Sequence, residues 1–253
     1  MSLEYAPRGL VGMLTPQANT TAEPEFNILW PRGISMINGR LMSDKESLNA
    51  RLVDYFDSYG QSLKQFANAP IGAAAAACTG ASYLAGRDRE ARVIAEISSR
   101  HGHPFITAAM AVVDALRALD AHRIGLVSPY SDDLTRASVT YWQSHGFVVA
   151  ELATAGTRND TFHPIYSLDS SAALTALRTL EGKSLDAIVM LGTGMPTLRP
   201  IAETIGWRGA PAMSSNLCLA WRVVEALERR LPDASTLASW LNGEGWAERL
   251  KTR

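Results

Sequence analysis

Short apolar runs alternate with amphipathic segments along the whole chain. Five runs are too short and too uniformly apolar to be anything but buried strands, and they cover residues 9–14, 71–77, 124–128, 147–151 and 187–191. Segments with apolar residues at helical spacing lie between and after them, at 45–66, 87–101, 109–120, 132–144, 170–181, 196–205 and 215–230. Strand and helix in alternation predict an α/β fold with parallel sheets covered on both faces.

The run AAAAACTGASYL, residues 73–84, contains five consecutive alanines that end at Cys78. Alanine is the best helix former, so the residue types alone would favour a helix. The place of the run in the alternation predicts a strand instead, with Cys78 at the turn that follows it.

The chain contains an internal repeat. GLVGMLTPQANTT (9–21) has the outline of RIGLVSPYSDDLT (123–135), with the two prolines 113 residues apart, and CTGASYL matches GTGMPTL at an offset of 114. A looser pair, HPFITAAMAVVDAL and APAMSSNLCLAWRVVEAL, follows at an offset of 107. The repeat predicts two pseudo-symmetric, doubly wound lobes, one of residues 1–107 plus 214–253 and one of residues 108–213.

All six repeated motifs are predicted strand-to-helix turns. In doubly wound sheets, ligands bind beyond the carboxyl ends of the strands. If the lobes face each other, Cys78 and its counterpart Gly192 lie on opposite walls of one cleft. The sequence therefore predicts that the cysteine marks the mouth of an active-site cleft.

Composition and charge favour a small-molecule partner. The chain is 47% hydrophobic and 19% charged, and its formal net charge is −1 without a sustained basic run, so we expect no nucleic-acid or membrane partner. The N-terminus has no signal-peptide pattern, and no segment reaches roughly 18 uninterrupted apolar residues, which predicts a cytoplasmic protein. Two cysteines and five histidines without HxxxH or HExxH spacing give no support for a metal site.

Several short motifs fall in an order that resembles a known superfamily. They are Pro16, Asn19-Thr20-Thr21, Glu23-Pro24-Glu25, ACTGAS, SPYSDD, GMPTL and SSN (214–216). Together they are similar to the aspartate/glutamate racemase superfamily, in its maleate isomerase and arylmalonate decarboxylase branch.

The resemblance implies a cofactor-independent enzyme that acts next to the carboxylate of a small carboxylic or dicarboxylic acid, with a cysteine on each face of the substrate. By position, Cys78 matches the first cysteine of the family, and Thr79 matches a hydroxyl that binds the carboxylate. Tyr130 matches the tyrosine of the second lobe, and Asn19 matches an asparagine that binds a carboxylate. The resemblance also suggests a homodimer.

The chain departs from the pattern at Gly192, where the second cysteine is expected. Cys218 does not replace it, because it falls inside the last predicted helix.

The chemistry itself accounts for these residue types. Removing a proton or CO2 next to a carboxylate leaves an enediolate, whose two developing negative oxygens need preorganised donors. Turn amides and hydroxyls supply them, and the candidate substrate-binding residues are Asn19, Thr79, Gly80, Gly192, Thr193, Gly194, Asn216 and His163. The candidate catalytic residues are Cys78 and Tyr130. A glycine at 192 is expected to enlarge one wall, and Tyr83, Phe162, Tyr166 and Met195 are candidates for apolar surface.

Three functions remain open at this stage. The first is decarboxylation of an arylmalonate-type acid with single-face protonation by Cys78. The second is maleate-type cis-trans isomerisation, in which the Cys78 thiolate adds to the double bond; the Asn-Thr-Thr turn favours it and Gly192 counts against it. The third is a catalytically reduced protein that only binds dicarboxylates. A two-base racemase is disfavoured, because one cysteine serves one face.

Overall fold

The computed structural model describes residues 3–156 and 164–252 of the 253-residue chain. Its strands are β1 (Gly9–Pro16), β2 (Ile34–Leu41), β3 (Ala73–Ala76), β4 (Phe105–Thr107), β5 (Arg123–Ser128), β6 (Val148–Thr154), β7 (Ala187–Met190) and β8 (Ala212–Ser214). Its helices are α1 (Ala22–Leu29), α2 (Leu48–Asp57), α3 (Tyr59–Ser62), α4 (Thr79–Ala85), α5 (Arg87–His101), α6 (Ala108–Ala118), α7 (Asp132–Ser144), α8 (Ser170–Arg178), α9 (Leu198–Thr204), α10 (Ser215–Leu227), α11 (Ala234–Leu241) and α12 (Ala247–Lys251).

The described strands form two four-stranded sheets with the same topology. The strand order is β2-β1-β3-β4 in one sheet and β6-β5-β7-β8 in the other, and all the pairings are parallel. The second strand of each set is therefore an edge strand, and the first and third lie in the centre. This shared order confirms the two pseudo-symmetric α/β lobes that the internal repeat predicts.

The alanine run forms the central strand β3, as its place in the alternation predicts. Ala73 to Ala76 are fully buried and pair with β1 on one side and β4 on the other. Methyl side chains leave room for helix α10, which follows β8 of the second sheet yet packs against β3 and β4 of the first. The division of the chain into lobes at residues 107 and 214 stays a prediction.

The main differences from the sequence prediction lie in short or polar elements. The segment 45–66 is not one helix, because α2 ends at Asp57 and is followed by α3 and a 3-10 turn at Leu63–Phe66. Strand β2 has the polar sequence ISMINGRL and lies at a sheet edge, where burial is incomplete. Strands β4 and β8 contain only three residues each, too few for a periodic pattern to show. No helix in the described ranges is long and apolar enough to cross a membrane.

Candidate active site

The turns after the central strands of both sheets surround one cavity between the lobes. Its volume is about 90 Å³. The lining residues come from the ends of β1, β3, β5 and β7, from α2 and from the 3-10 turn at Pro164–Ser167, and they are Pro16, Leu48, Leu52, Tyr55, Cys78, Thr79, Gly80, Pro129, Tyr130, Ser131, Ile165, Tyr166, Thr193 and Gly194. None of these described lining residues carries a charge. The structure thus places an apolar cleft with a few hydroxyl and amide groups where the repeat predicts one.

Cys78 lies in the cavity wall at the start of α4. Its backbone is extended (φ −151°), and its side chain is only 3% exposed. Burial raises the pKa of the Cys78 thiol to about 12, although the backbone N–H of Ala81 offsets part of the rise. The thiol is therefore protonated at neutral pH, which suits a proton donor better than a nucleophile.

The hydroxyl groups of Thr79 and Tyr130 join the two lobes beside Cys78. The distance between Thr79 Oγ1 and Tyr130 Oη is 2.8 Å. Tyr83 packs edge-to-face on Tyr130, with 6.2 Å between the ring centroids, and burial raises the pKa of Tyr130 above its ordinary value. The backbone N–H groups of Thr79 and Gly80 lie in the first turn of α4, where they have no intrahelical acceptor. One hydroxyl proton is used within the Thr79–Tyr130 pair, so up to three donors of the kind that an enediolate needs lie at this end of the cavity.

The turn after β7 contributes two more backbone donors. No acceptor within residues 3–156 and 164–252 pairs with the N–H groups of Thr193 and Gly194. The side chain of Thr193 is already engaged, since its hydroxyl donates to the Ala77 carbonyl (2.6 Å) and accepts from Asn19 Nδ2 (3.1 Å). We therefore expect the backbone of this turn, rather than the threonine hydroxyl, to face a substrate.

Asn19 and Asn216 lie at the junction of the lobes and do not line the cavity. Asn19 Oδ1 accepts from the N–H groups of Thr21 and Ala22, both at 2.9 Å, and so begins helix α1. Asn216 Nδ2 donates to Glu25 (2.7 Å) and to the carbonyl of Thr193 (3.1 Å). The sequence predicts both as substrate-binding residues, whereas in the structure their donors hold one lobe against the other.

Glu25 is the centre of this junction. It is 5% exposed and accepts from the N–H groups of Thr197 (2.6 Å) and Leu198 (3.1 Å) at the start of α9, in addition to Asn216. Burial raises the pKa of Glu25, and these hydrogen bonds oppose the rise. The sequence shows Glu25 only as part of the Glu23-Pro24-Glu25 motif, which gives no sign that it pairs with Thr197 and Leu198 of the other lobe.

Gly192 also lies outside the cavity lining, and the space beside it is filled. Its φ is +83°, and a Cβ atom there would lie 2.7 Å from Ile165 Cδ1 and 3.0 Å from Tyr130 Oη. The expectation that this glycine enlarges one wall is therefore wrong, because the side chain of Ile165 occupies that space. A second cysteine at this position would need a strained backbone and a displaced Ile165.

The remaining predicted residues divide between the cavity and the core. Tyr166 lines the cavity, whereas Tyr83 and Met195 are buried outside it. His163 and Phe162 lie outside the described residues. Within the described ranges, no group of three or more histidine, cysteine or acidic side chains could hold a metal ion.

Sequence reasoning missed the contribution of α2 to the cavity. Leu48, Leu52 and Tyr55 lie on one face of this helix and line the cavity. Their apolar spacing in the sequence is the same as that of a helix face buried in the core, so periodicity alone does not distinguish the two.

Gly194 is predicted to be required for the position of Tyr166. A Cβ atom at Gly194 would lie 2.3 Å from Tyr166 Cε1, so Gly194→Ala must displace the ring. We expect the variant to lose about 1–3 kcal/mol of unfolding free energy, measured by denaturant titration. Gly60→Ala is the matched control, because its nearest neighbour is 3.9 Å away. If Gly194→Ala costs as much in a Tyr166→Ala background as it does in the wild type, the ring is not the cause.

Comparison with known proteins agrees with this architecture. Residues 11–237 match the family model of arylmalonate decarboxylase. Maleate isomerase of Nocardia farcinica is 26% identical over 86% of this chain and 90% of its own length, and maleate isomerase of Geobacillus stearothermophilus is 23% identical over 90% and 96%.

Crystal structures of both kinds of enzyme share the fold. A maleate cis-trans isomerase of Nocardia farcinica, in a variant with one cysteine replaced by serine and with a covalently bound succinylcysteine intermediate, has a TM-score of 0.78 at 24% identity, covering 87% of this chain and 93% of that one. A variant of arylmalonate decarboxylase in the liganded form has a TM-score of 0.75 at 20% identity, covering 87% and 92%.

The match covers most of the chain and both lobes. The activity is accordingly of the arylmalonate decarboxylase or maleate isomerase type. The chain is an enzyme of the arylmalonate decarboxylase family, in the branch of the Asp/Glu racemase-like superfamily to which the maleate isomerases also belong.

Proposed function

We propose that the enzyme decarboxylates a malonate with a mainly apolar α-substituent and that Cys78 protonates the resulting carbanion. The observation that carries the proposal is a buried thiol, 3% exposed, in the wall of a cavity whose described lining has no charged side chain. Such surroundings keep the thiol protonated and lack the cation that would stabilise a thiolate.

The retained carboxylate is expected to bind at the turn end of the cavity. There one hydroxyl of the Thr79–Tyr130 pair and the backbone N–H groups of Gly80, Thr193 and Gly194 are available as donors. When the bond to the second carboxylate breaks, its electron pair moves onto the α-carbon and is shared with the two oxygens of the retained carboxylate. Hydrogen bonds from these donors strengthen as the enediolate forms, which lowers the barrier to decarboxylation.

The departing carboxylate is expected to lie against the apolar wall. Leu48, Leu52 and Ile165 offer it no hydrogen bond, so its charge is poorly solvated there. Release as neutral CO2 removes that charge from the apolar surroundings. The placement of polar and apolar lining residues therefore favours loss of one carboxylate and retention of the other.

Cys78 completes the reaction from one face. The S–H bond breaks, its proton forms the new C–H bond at the α-carbon, and the sulfur keeps the electron pair until it takes a proton from solvent as the product leaves. Since Cys78 belongs to the first lobe, the product should have the configuration opposite to that from an enzyme with its lone cysteine on the second lobe. Chiral chromatography of the product measures this directly.

Maleate-type isomerisation is the second candidate. The relatives named above are maleate isomerases, and one of them forms a succinylcysteine in a variant that has lost a cysteine, so in that protein the adduct forms without it. By analogy Cys78 alone could form such an adduct. This reaction needs the thiolate, which the cavity of this chain disfavours.

Product analysis in D2O tests the two candidates. The protein is incubated with phenylmalonate, methylmalonate and maleate and followed by proton NMR. We expect an α-deuterated monoacid from at least one malonate and no fumarate. Fumarate formation without decarboxylation would reject the proposal in favour of the isomerase.

The pH dependence of kcat/KM gives a second, independent discrimination. Because the pKa of the Cys78 thiol is about 12, the donor stays protonated and kcat/KM should not rise between pH 6 and pH 9. A nucleophilic thiolate would instead give a rate that increases about tenfold per pH unit over this range. Stopped assays in overlapping buffers distinguish the two profiles.

A further inference from the structure

The side chain of Ile165 lies between Gly192 and the cavity. Among the described residues, the nearest neighbours of a Cβ atom at Gly192 would be Ile165 Cδ1 (2.7 Å), Tyr130 Oη (3.0 Å) and Pro129 Cγ (3.1 Å). All three atoms belong to residues that line the cavity, whereas Gly192 does not line it. A layer of side chains therefore covers this glycine, and Ile165 contributes its closest atom.

Ile165 also lies beside the turn that is expected to hold the retained carboxylate. Its Cγ2 would lie 3.3 Å from a Cβ atom at Gly194, whose backbone N–H is one of the expected donors. The α-carbon of the substrate is one bond away from that carboxylate. The carbanion therefore forms close to the Ile165 side chain.

The internal repeat indicates which side of that carbon Ile165 occupies. Cys78 and Gly192 are counterparts in the repeat, and each follows a central strand, β3 or β7, by the same number of residues. Side chains at counterpart positions of two facing lobes approach a ligand between them from opposite sides. Cys78 approaches from one side, and Ile165 fills the space that a side chain at Gly192 would take on the other.

We propose, on the basis of the proposed decarboxylation, that Ile165 covers the face of the carbanion opposite Cys78 and so makes protonation one-sided. The hydroxyl nearest to this position is that of Tyr130, which is paired with Thr79 Oγ1 (2.8 Å). Water is then the proton source that has to be kept from this face. An aliphatic side chain does so, because it has no acidic proton and fills the space that a water needs.

Truncation of Ile165 would open this face to water. Ile165→Ala removes three carbon atoms, which leaves more room than one water needs, and Tyr130 Oη and the bound carboxylate are polar partners for it. An O–H bond of that water breaks, and its proton forms the C–H bond at the α-carbon. The hydroxide left behind takes a proton from solvent, and the product has the opposite configuration.

The enantiomer ratio of the product tests this role. The substrate is 2-methyl-2-phenylmalonate, which gives the two enantiomers of 2-phenylpropionate, and chiral chromatography separates them. We expect the wild type to form one enantiomer in large excess. Ile165→Ala should lower the enantiomer ratio by about tenfold or more, and Ile165→Val should lie between the two.

Leu52→Ala is the matched control. It also removes three carbon atoms from the cavity lining, but Leu52 Cδ1 would lie 2.9 Å from a Cβ atom at Gly80, the counterpart of Gly194 in the first lobe. The space that it leaves opens beside the turn of Cys78, so a water there protonates the face that Cys78 already serves. Whatever its effect on the rate, Leu52→Ala should keep the wild-type enantiomer ratio.

Three outcomes would overturn the inference. They are a racemic product from the wild type, an unchanged enantiomer ratio in Ile165→Ala, and an equal fall of the ratio in Leu52→Ala. Ile165→Val and Leu52→Val, which each remove one carbon atom, repeat the comparison with a smaller perturbation if either alanine variant does not fold.

Binding measurements separate this inference from the proposed function. When the carboxylate and the ring of 2-phenylpropionate stay in place, one enantiomer directs its methyl group toward Ile165 and the other directs a hydrogen there. Calorimetry should give wild-type Kd values that differ by about tenfold between the enantiomers, and values within about threefold of each other in Ile165→Ala alone. If no malonate is decarboxylated, the proposed function fails, but this comparison still tests Ile165. The absence of the difference rejects the inference whether or not the enzyme turns over malonates.

Discussion

Cys78→Ser is expected to lower kcat/KM for the malonate substrate by about a hundredfold to ten-thousandfold. A serine hydroxyl is a much weaker acid than a thiol, so it donates a proton poorly to the carbanion next to it. The donors for the retained carboxylate, at Thr79, Tyr130 and the backbone of the turns, remain in place. Initial rates followed by NMR or by CO2 release measure the loss, and the Kd of the monoacid product should change little.

Cys218→Ser provides the matched control for this experiment. Cys218 is fully buried in α10 and does not line the cavity, and burial raises the pKa of its thiol as it does for Cys78. We expect the folded Cys218→Ser variant to keep the wild-type kcat/KM and the wild-type product configuration. Equal rates for Cys78→Ser and the wild type, with unchanged product chirality, would remove Cys78 from the role of proton donor.

Glu25→Leu is expected to lower the unfolding free energy by about 3–5 kcal/mol. Leucine leaves the N–H groups of Thr197 and Leu198 and the amide of Asn216 buried without their acceptor. For a chain of this size, such a loss lowers Tm by on the order of 10 °C. We expect the lower unfolding free energy of Glu25→Leu to be seen both in denaturant titration and in calorimetry, because the lost contacts join the two lobes.

Glu23 is the control for this prediction, two residues away in the same helix. It pairs with Arg40 at the surface, where the two side chains are 30% and 37% exposed. Exposed ion pairs contribute little to stability, so Glu23→Leu should lower the unfolding free energy by less than about 1 kcal/mol. Similar losses for the two variants would show that the buried hydrogen bonds of Glu25 contribute no more than a surface pair.

The pH dependence of stability tests the protonation of Glu25. Burial raises its pKa in the folded state above the ordinary value of 4.5, so the folded protein binds this proton more tightly than the unfolded chain does. Stability from this group is therefore fully present below pH 4.5 and is lost as the pH rises through the folded-state pKa. Relative to Glu25→Gln, the wild type should lose stability as the pH is raised from 4.5. A relative gain would mean that the hydrogen bonds outweigh burial.

Much of the fold could be predicted because its signals are local. The helices at Arg87–His101 and Asp132–Ser144 begin and end at the residues that the apolar spacing indicates. The repeat of proline and threonine-glycine turns predicts the equivalence of the two lobes, which the shared strand order confirms. Strands β4 and β8 escaped detection, since three residues carry no periodicity.

The candidate site was predicted less completely. The sequence places Cys78, Thr79, Gly80 and Tyr130 at turns that the structure brings together around the cavity. It gives no sign that Tyr55 shares that cavity, because an apolar helix face looks the same against a core and against a binding site.

By itself, the sequence determined the alternating architecture, the two related lobes and the turn that carries the cysteine, because periodicity and turn residues act over a few neighbouring positions. Only the tertiary structure decided which polar groups face the cavity and which join the lobes. Glu25 and Asn216 meet although 191 residues separate them, and Asn19 meets Thr193 across 174 residues. Such pairings depend on how the two folded lobes pack against each other, so residue types and their spacing along the chain do not predict them.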